Sequence, residues 1–417
     1  MQADSIVLGA GIVGVSIALH LQMRGLSTVL VDRRGAGEET SYGNAGLIQR
    51  EGVMPHAFPQ GLADLLRYGV NDRTDMHYHL AALPRIAPFL ARYWWHSRPE
   101  NYRKVVTAYA PLIAAAVTEH APLIEKAGAD DLIVRQGWYL LFREEQERDE
   151  AFRKAERLER DFGINHDVVR NDEIRRKEPG LGIDVAGALH WADPWSIRDP
   201  GGLVKRYLAL FESLGGTFVN ADAMALQQRS SGAGWQLPVA SGVIEAKDAV
   251  VALGPWAGDL TDRLGYSLPL AVKRGYHMHY AQPAANPLTS WVLDSKYGYL
   301  LTPMVRGVRL TTGAEFALRD APSTPVQVDR DEPWARELFP GLGTRVDAEP
   351  WKGARPITPD MMPIIGPAPK HKGLWFAIGH AHHGMTLGPA TGRLIAEMVT
   401  GDTPFIDPAA FSATRFM

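Results

Sequence analysis

The sequence predicts a two-domain α/β protein whose domains interleave along the chain. Three observations predict it. The residues from Ser5 to Asp32 read as strand, glycine turn, helix and strand; those between about Leu268 and Arg345 switch to the two-residue alternation of antiparallel strands; and those from Leu374 to Val399 return to strand, glycine loop and helix. Residues 1–55, 150–265 and 346–417 therefore make the first domain, and residues 56–149 and 266–345 the second.

The opening justifies the first domain. An apolar run from Ser5 to Leu8 leads into Gly9-Ala10-Gly11-Ile12-Val13-Gly14 and then an apolar-periodic segment ending in Val29-Leu30-Val31-Asp32. This is the order a dinucleotide site needs: Gly9 permits the tight turn, Gly11 lets the backbone approach a pyrophosphate, and Gly14 lets the helix pack on the strands. Ile12 and Val13 begin the helix, whose amides and dipole face the negative charge. Asp32 ends the second strand about 20 residues on, placed to accept from a ribose hydroxyl, with Arg33 beside it.

Composition narrows the class. A chain of 417 residues can bury a large core. Its net charge is −3, with acids and bases spread along the chain, so no basic stripe argues for nucleic acid. No apolar run reaches membrane-spanning length, and the N-terminal apolar stretch serves at once as the first strand rather than as a signal peptide. The cytoplasm is the expected compartment. Zero cysteines exclude disulfides, thiolate metal sites and a cysteine nucleophile.

A short loop after the second strand carries Thr40-Ser41-Tyr42-Gly43-Asn44-Ala45-Gly46-Leu47-Ile48, small and polar enough for the backbone to lie against a ligand. Taken with the glycine turn and Asp32-Arg33, this opening resembles that of the D-amino-acid oxidase and D-amino-acid dehydrogenase superfamily of flavoproteins. The resemblance implies FAD rather than NAD, held in a Rossmann-like domain of the glutathione-reductase type with Ser41, Asn44, Ala45, Gly46 and Leu47 in contact. Without cysteine the flavin cannot be tethered through sulfur, so a non-covalent FAD is expected.

The middle of the chain is less explicit. The residues from His56 to Ala129 read as helical, with Tyr93, Trp94 and Trp95 as core aromatics. Gln136 to Phe142 reads as a strand, and Glu144 to Arg160 as a charged, solvated helix. The cofactor domain is expected to resume at Gly187-Ala188-Leu189-His190. Asp199 caps, and Pro200 opens, a helix running to about Leu214. A strand follows from Thr217 to Asn220. In the resembling family the main chain around Ala223 lies at the adenine, and the turn at Gly254 lies beside the cofactor. Strands are expected over Val272 to Tyr280, Tyr299 to Val305 and Val308 to Thr312, the last two joined at Arg306-Gly307. Alternation in the first sets Tyr276 against His277 and His279 on the opposite face. Tyr276 and Tyr299 are candidate walls of a substrate chamber, with Tyr297 a further one.

The second strong motif is Gly353-Ala354-Arg355-Pro356-Ile357-Thr358-Pro359-Asp360-Met361-Met362-Pro363-Ile364-Ile365-Gly366. It resembles the G-x-R-P-x-T-P-D-x-x-P-x-I-G signature of amino-acid-oxidising flavoenzymes. The resemblance gives Arg355 the substrate carboxylate, which a planar guanidinium can pair through two oxygens at once. In the resembling family the loop matching Gly379-His380-Ala381-His382-His383-Gly384-Met385-Thr386 lies beside the flavin ring, which implies that the helix N-terminus at Gly384, Met385 and Thr386 faces its pyrimidine end. His380 and His383 are candidate substrate contacts. The histidine spacing is not that of a metal-binding helical pair, so no metal is expected.

These readings converge on oxidative deamination of a D-amino acid. Hydride passes from the α-carbon to flavin N5, and water hydrolyses the imino acid to a 2-oxo acid. No dedicated general base is expected. Oxygen or a quinone reoxidises the flavin, and peripheral contact with the inner membrane stays open. The alternatives are oxidation of glycine, an N-methyl amino acid or a cyclic imino acid such as D-proline or hydroxyproline, and a flavin- or nicotinamide-binding protein without amino-acid chemistry.

Overall fold

The computed structural model describes residues 1–61, 70–230 and 232–417. The opening apolar run forms the strand Gln2–Leu8, whose last four residues are buried. Burial of consecutive residues belongs to a parallel strand covered on both faces. The glycine turn hands the chain to the helix Ile12–Met23, which returns it to Thr28–Asp32 beside the first strand, Ser5 opposite Thr28. Among the described residues, five parallel strands form the centre of an eight-stranded sheet, in the order Thr217–Asn220, Thr28–Asp32, Gln2–Leu8, Gly242–Val251 and Leu374–Ile378. The first strands thus end at the glycine turn and at Asp32, side by side at one end of the parallel sheet.

The C-terminal helix Gly384–Thr400 packs on Ile12–Met23 through small residues. A Cβ at Gly392 would meet Ser16 O at 2.6 Å, and one at Gly388 would meet Ile12 Cγ1 at 2.9 Å. Close helix contact therefore joins the two ends of the chain beside the site. The helix Pro200–Ser213 begins as expected, with the carboxylate of Asp199 accepting from Gly202 N at 2.8 Å.

The alternating segment builds a ten-stranded sheet. Its long strand Ala271–Tyr280 pairs with Gly307–Thr311, Ala314–Phe316 and Trp351–Ile357. Tyr299–Met304 and Gly307–Thr311 form the expected hairpin, turned at Val305-Arg306, one residue earlier than the sequence suggests. Sheet membership crosses the expected domain boundaries. Gly187–Trp191 pairs with Trp138–Phe142 and His166–Val169 with Gly187–Trp191, both in the ten-stranded sheet and not in the parallel one, and Trp351–Ile357 joins that same sheet on Ala271–Tyr280. Strand character is local, but the choice of partner is not.

The stretch expected to be helical holds the helices Leu83–His96, Pro99–Ala114 and Ala116–Lys126, but also the strand Met76–Tyr78, which joins the ten-stranded sheet beside Ala314–Phe316. Its portion over residues 62–69 lies outside the described residues. Trp94 and Trp95 are not core: they are 39% and 52% exposed, with the Arg98 guanidinium over both rings. Tyr93, one helical step away, is the buried member of the group. No helix among the described residues is long and apolar enough to cross a membrane.

Candidate active site

A cavity of about 930 Å³ runs between the two sheets, at the upper end of the roughly 300–1,000 Å³ usual for ligand sites. At one end it is lined by Gly9, Gly11, Ile12, Val13, Asp32 and Arg33. Gly9 has φ +106°, and a Cβ there would lie 2.9 Å from the carbonyl carbon of Ala252. Only glycine makes this turn without strain. Gly11 carries no capping side chain; Ser41 Oγ, from the next loop, accepts from Ile12 N at 3.0 Å. Asp32 Oδ2 accepts from Ala10 N at 2.7 Å, so the acid fixes the turn as well as facing the cavity. Arg33 lies over the Trp256 ring at 4.5 Å, and Ala223 and Gly254 complete this end.

The two strongest sequence motifs meet through an aromatic ring. A Cβ at Gly353 would overlap Trp351, as would one at Gly43, and Thr40 Oγ1 donates to Ala354 O at 3.0 Å. The loop of Asn44, Ala45 and Leu47 is thereby held against the strand Trp351–Ile357, and all three residues line the cavity.

At the other end stands Arg355. Its guanidinium lies against Gly275, where a Cβ would meet Nη2 at 2.6 Å and Cζ at 2.8 Å, and it donates to Gly313 O at 3.0 Å. Burial lowers its pKa to about 10, which leaves it cationic at neutral pH. No carboxylate pairs with it among the described residues. Directly opposite on the neighbouring strand is Lys273, which also lines the cavity and donates to Tyr93 Oη at 3.1 Å. The rings of His56, an exposed residue lining the cavity, and the half-buried His382 lie 4.7 Å apart and tilted at 47° beside them, and loss of solvation in the cavity wall lowers the pKa of both. Phe58, Leu90, Phe316, Ile357 and Met361 supply apolar walls. Two wall residues, Met361 at φ +61° and Ala381 at φ +52°, are non-glycine residues in the left-handed region. Such strain persists where the surrounding structure over-determines it, as at ligand sites.

The arrangement can hold a long dinucleotide along the glycine turn and a small anion at Arg355. Residues 4–398 match the FAD-dependent oxidoreductase family DAO. The chain belongs to that family. Among its relatives, the D-amino-acid oxidase of Bradyrhizobium diazoefficiens is 30% identical over 422 residues, which cover 99% of this chain and 98% of its own. The D-amino acid dehydrogenase of Chromohalobacter salexigens is 28% identical and covers 99% of each chain. Glycine oxidase from Geobacillus kaustophilus shares the fold with a TM-score of 0.74 at 23% identity, covering 100% of this chain and 99% of that one. L-proline dehydrogenase from P. horikoshii does so with a TM-score of 0.74 at 18% identity, covering 100% and 98%. The glycine turn, Asp32 and the two helix N-termini of this oxidoreductase suit the FAD that its family binds.

Most of the predicted cofactor residues line the cavity, Gly384 and Met385 among them, but three do not. Gly14 is a packing residue, since a Cβ would overlap the carbonyl oxygen of Gly9. Gly46 turns the backbone at φ +74° against Ile197. Thr386 Oγ1 donates to Leu47 O at 3.2 Å and accepts from Gln49 N at 3.1 Å, tying a loop to the helix start. The predicted substrate contacts divide more sharply. His380 lines the cavity, with Nε2 on Thr391 Oγ1 at 3.0 Å. His383 does not; its Nδ1 bonds Tyr109 Oη at 2.8 Å, and His382 takes its place on the wall. The 3₁₀ turn Ala381–His383 fans successive side chains about 120° apart, which separates the neighbours.

Tyr276 reaches the wall, but its hydroxyl is engaged on the far face of the strand by Glu315 and Arg274, each at 2.8 Å. Tyr299 is fully buried away from the cavity, donating to Asp294 at 3.0 Å. Alternation identified the faces, and tertiary packing chose the odd one, with Lys273 and Gly275. Of the other arginines in this sheet, Arg274 pairs with Glu315, Arg306 with Asp347, and Arg309 donates to Asn44 O. None of these lines the cavity. Two unforeseen groups, His77 with His79 and Glu315, and His277 with His279 and Asp347, bring ligand-type atoms within 4.8 Å. Each already includes an arginine contact, Arg274 to Glu315 and Arg309 to His279 at 2.9 Å.

Asp32→Ala is expected to weaken FAD binding by about 1.5–3 kcal/mol, the worth of a charge-assisted hydrogen bond, with the fold intact. Flavin occupancy after dialysis measures it. Unchanged occupancy would mean that the acid serves only the turn.

Proposed function

We propose that this oxidoreductase oxidises a D-amino acid to an imino acid, which water hydrolyses to a 2-oxo acid. The observation that carries the reading is Arg355, a half-buried cation on the cavity wall without a carboxylate partner among the described residues. A buried charge left unpaired is costly, so a ligand carboxylate is its natural complement. The apolar walls at Phe58, Leu90, Phe316 and Met361 suit an uncharged side chain. The relatives named for D-amino acids support the chirality.

FAD, when bound, supplies the acceptor for the α-hydrogen as hydride. At the hydride step the chain's own part is positional. Arg355 orients the carboxylate, the walls exclude water, and the helix N-terminus at Gly384 and Met385 offers a positive dipole end where negative charge develops. The cofactor is held without a covalent bond in this reading, which the absence of any cysteine for a sulfur tether supports. The working compartment is the cytoplasm, and the final electron acceptor is oxygen or a quinone.

Two measurements test this. Acid precipitation should release all of the flavin into the supernatant; colour retained in the pellet would reveal a covalent link. Anaerobic bleaching against a panel of D-amino, L-amino and N-methyl amino acids should be fastest with a D-amino acid. A response confined to glycine, N-methyl or cyclic imino acids would move the enzyme to secondary-amine chemistry, and no response at all would end the amino-acid reading.

A further inference from the structure

Lys273 and Arg355 are register partners in the antiparallel pair Ala271–Tyr280 and Trp351–Ile357. Their side chains leave the same face of the sheet, and both line the cavity. Like charges directly opposite on one sheet face oppose strand pairing. Neither side chain has an ion-pair partner among the described residues: Lys273 donates to Tyr93 Oη at 3.1 Å, with Nζ 4.7 Å from that ring and 5.4 Å from Phe316. Packing thus explains the position of the lysine but not its chemistry.

The groups facing it decide its charge. Arg355 is a fixed cation, His56 and His382 are neutral, and burial pushes the Tyr93 phenol up, so it stays protonated. Burial, and then Arg355, bring Lys273 down to about 7. A half-buried, poorly solvated lysine beside a fixed cation is an available neutral amine near neutral pH. The histidines are poorer proton acceptors: His56 lies at about 4, and His382 well below its usual value.

We propose that Lys273 takes the ammonium proton of the amino acid whose carboxylate Arg355 holds. This rests on the amino-acid reading above. The substrate arrives as a zwitterion, and its amine and carboxylate share one α-carbon, so a base beside the carboxylate clamp is within reach of the amine. One N–H bond of the ammonium breaks and one N–H bond forms at Nζ. The products are a neutral α-amine, with the lone pair that loss of the α-hydride requires, and a lysine ammonium. Total charge is conserved and no electrons change hands. The new ammonium stands beside the bound carboxylate, so the clamp gains a second cation as the amine loses its own.

Lys273→Met and Lys273→Arg test this together. In anaerobic stopped flow, flavin reduction by the parent should rise with pH through a limb near 7, set by Lys273. Both variants should lose that limb and run about 10²-fold slower near neutrality, recovering as pH approaches the pKa of the free substrate amine. A second readout needs no turnover. By calorimetry in buffers of different ionisation enthalpy near pH 8, propionate should draw in about one proton on binding to the parent and none on binding to either variant. The zwitterion 2-aminoisobutyrate, which has no α-hydrogen, should draw in none. A Lys273→Arg enzyme within about twofold of the parent rate would reduce the lysine to a carboxylate contact and overturn the proposal, as would equal proton uptake by parent and Met variant. A parent that no amino acid reduces would end the amino-acid reading and this proposal with it, a result distinct from a reducible parent matched by its Arg variant.

Discussion

Arg355→Lys should lose about 10²-fold in the efficiency of flavin reduction by the best amino acid, with FAD content unchanged. Charge is retained, but a point-like ammonium cannot hold two carboxylate oxygens in one plane, so the α-carbon swings out of line. The guanidinium's seat makes a second variant informative. A Cβ at Gly275 would lie 2.6–2.8 Å from its terminal atoms, so Gly275→Ala should displace the clamp from the neighbouring strand and show the same loss. Stopped-flow reduction at matched substrate concentrations measures both. An Arg355→Lys enzyme as fast as the parent would remove the carboxylate role, and Arg274, Arg306 and Arg309 could not inherit it without leaving their present partners.

Gly14→Val should yield protein without flavin and with a lowered unfolding midpoint. The added Cβ would overlap the Gly9 carbonyl oxygen and sit 2.9 Å from its carbonyl carbon. The turn cannot retreat, because Gly9 N is bonded to Val31 O at 2.7 Å and Leu8 O accepts from Ala252 N at 2.8 Å. Overpacking against fixed backbone costs about 1–3 kcal/mol or more, and the displaced turn is the same one that lines the cavity. Flavin absorbance per protein and thermal denaturation report the two effects separately. Full flavin content with an unchanged midpoint would show that the turn has room that the geometry denies.

The cofactor end of the site was legible from residue order alone. A glycine turn, the helix it opens and an acid on the next strand are close in sequence, so local sterics and hydrogen bonding already specify the geometry, as Gly9 and Asp32 show. Arg355 was legible as well, carried by its G-x-R-P motif. The substrate end was not. Lys273 owes its lowered pKa first to its loss of solvation and then to Arg355, 82 positions away across a strand pair, and Tyr93 and His56 reach it from a helix and a loop that carry no motif.

What the sequence by itself determined is therefore the set of local elements: the strands, glycine turns, caps and alternation that follow from backbone sterics and two- or three-and-a-half-residue periodicity. Only the tertiary structure decided which sheet takes each strand, as with Gly187–Trp191, and which face turns its polar groups to the cavity, as with Lys273 against Tyr276, whose hydroxyl is engaged behind the strand. It also decided that His380 and His382 line the cavity while His383 turns away from it. The reason is that a strand's two faces and a turn's successive side chains are equivalent locally, and the choice between them is made by burial against residues far away in the chain.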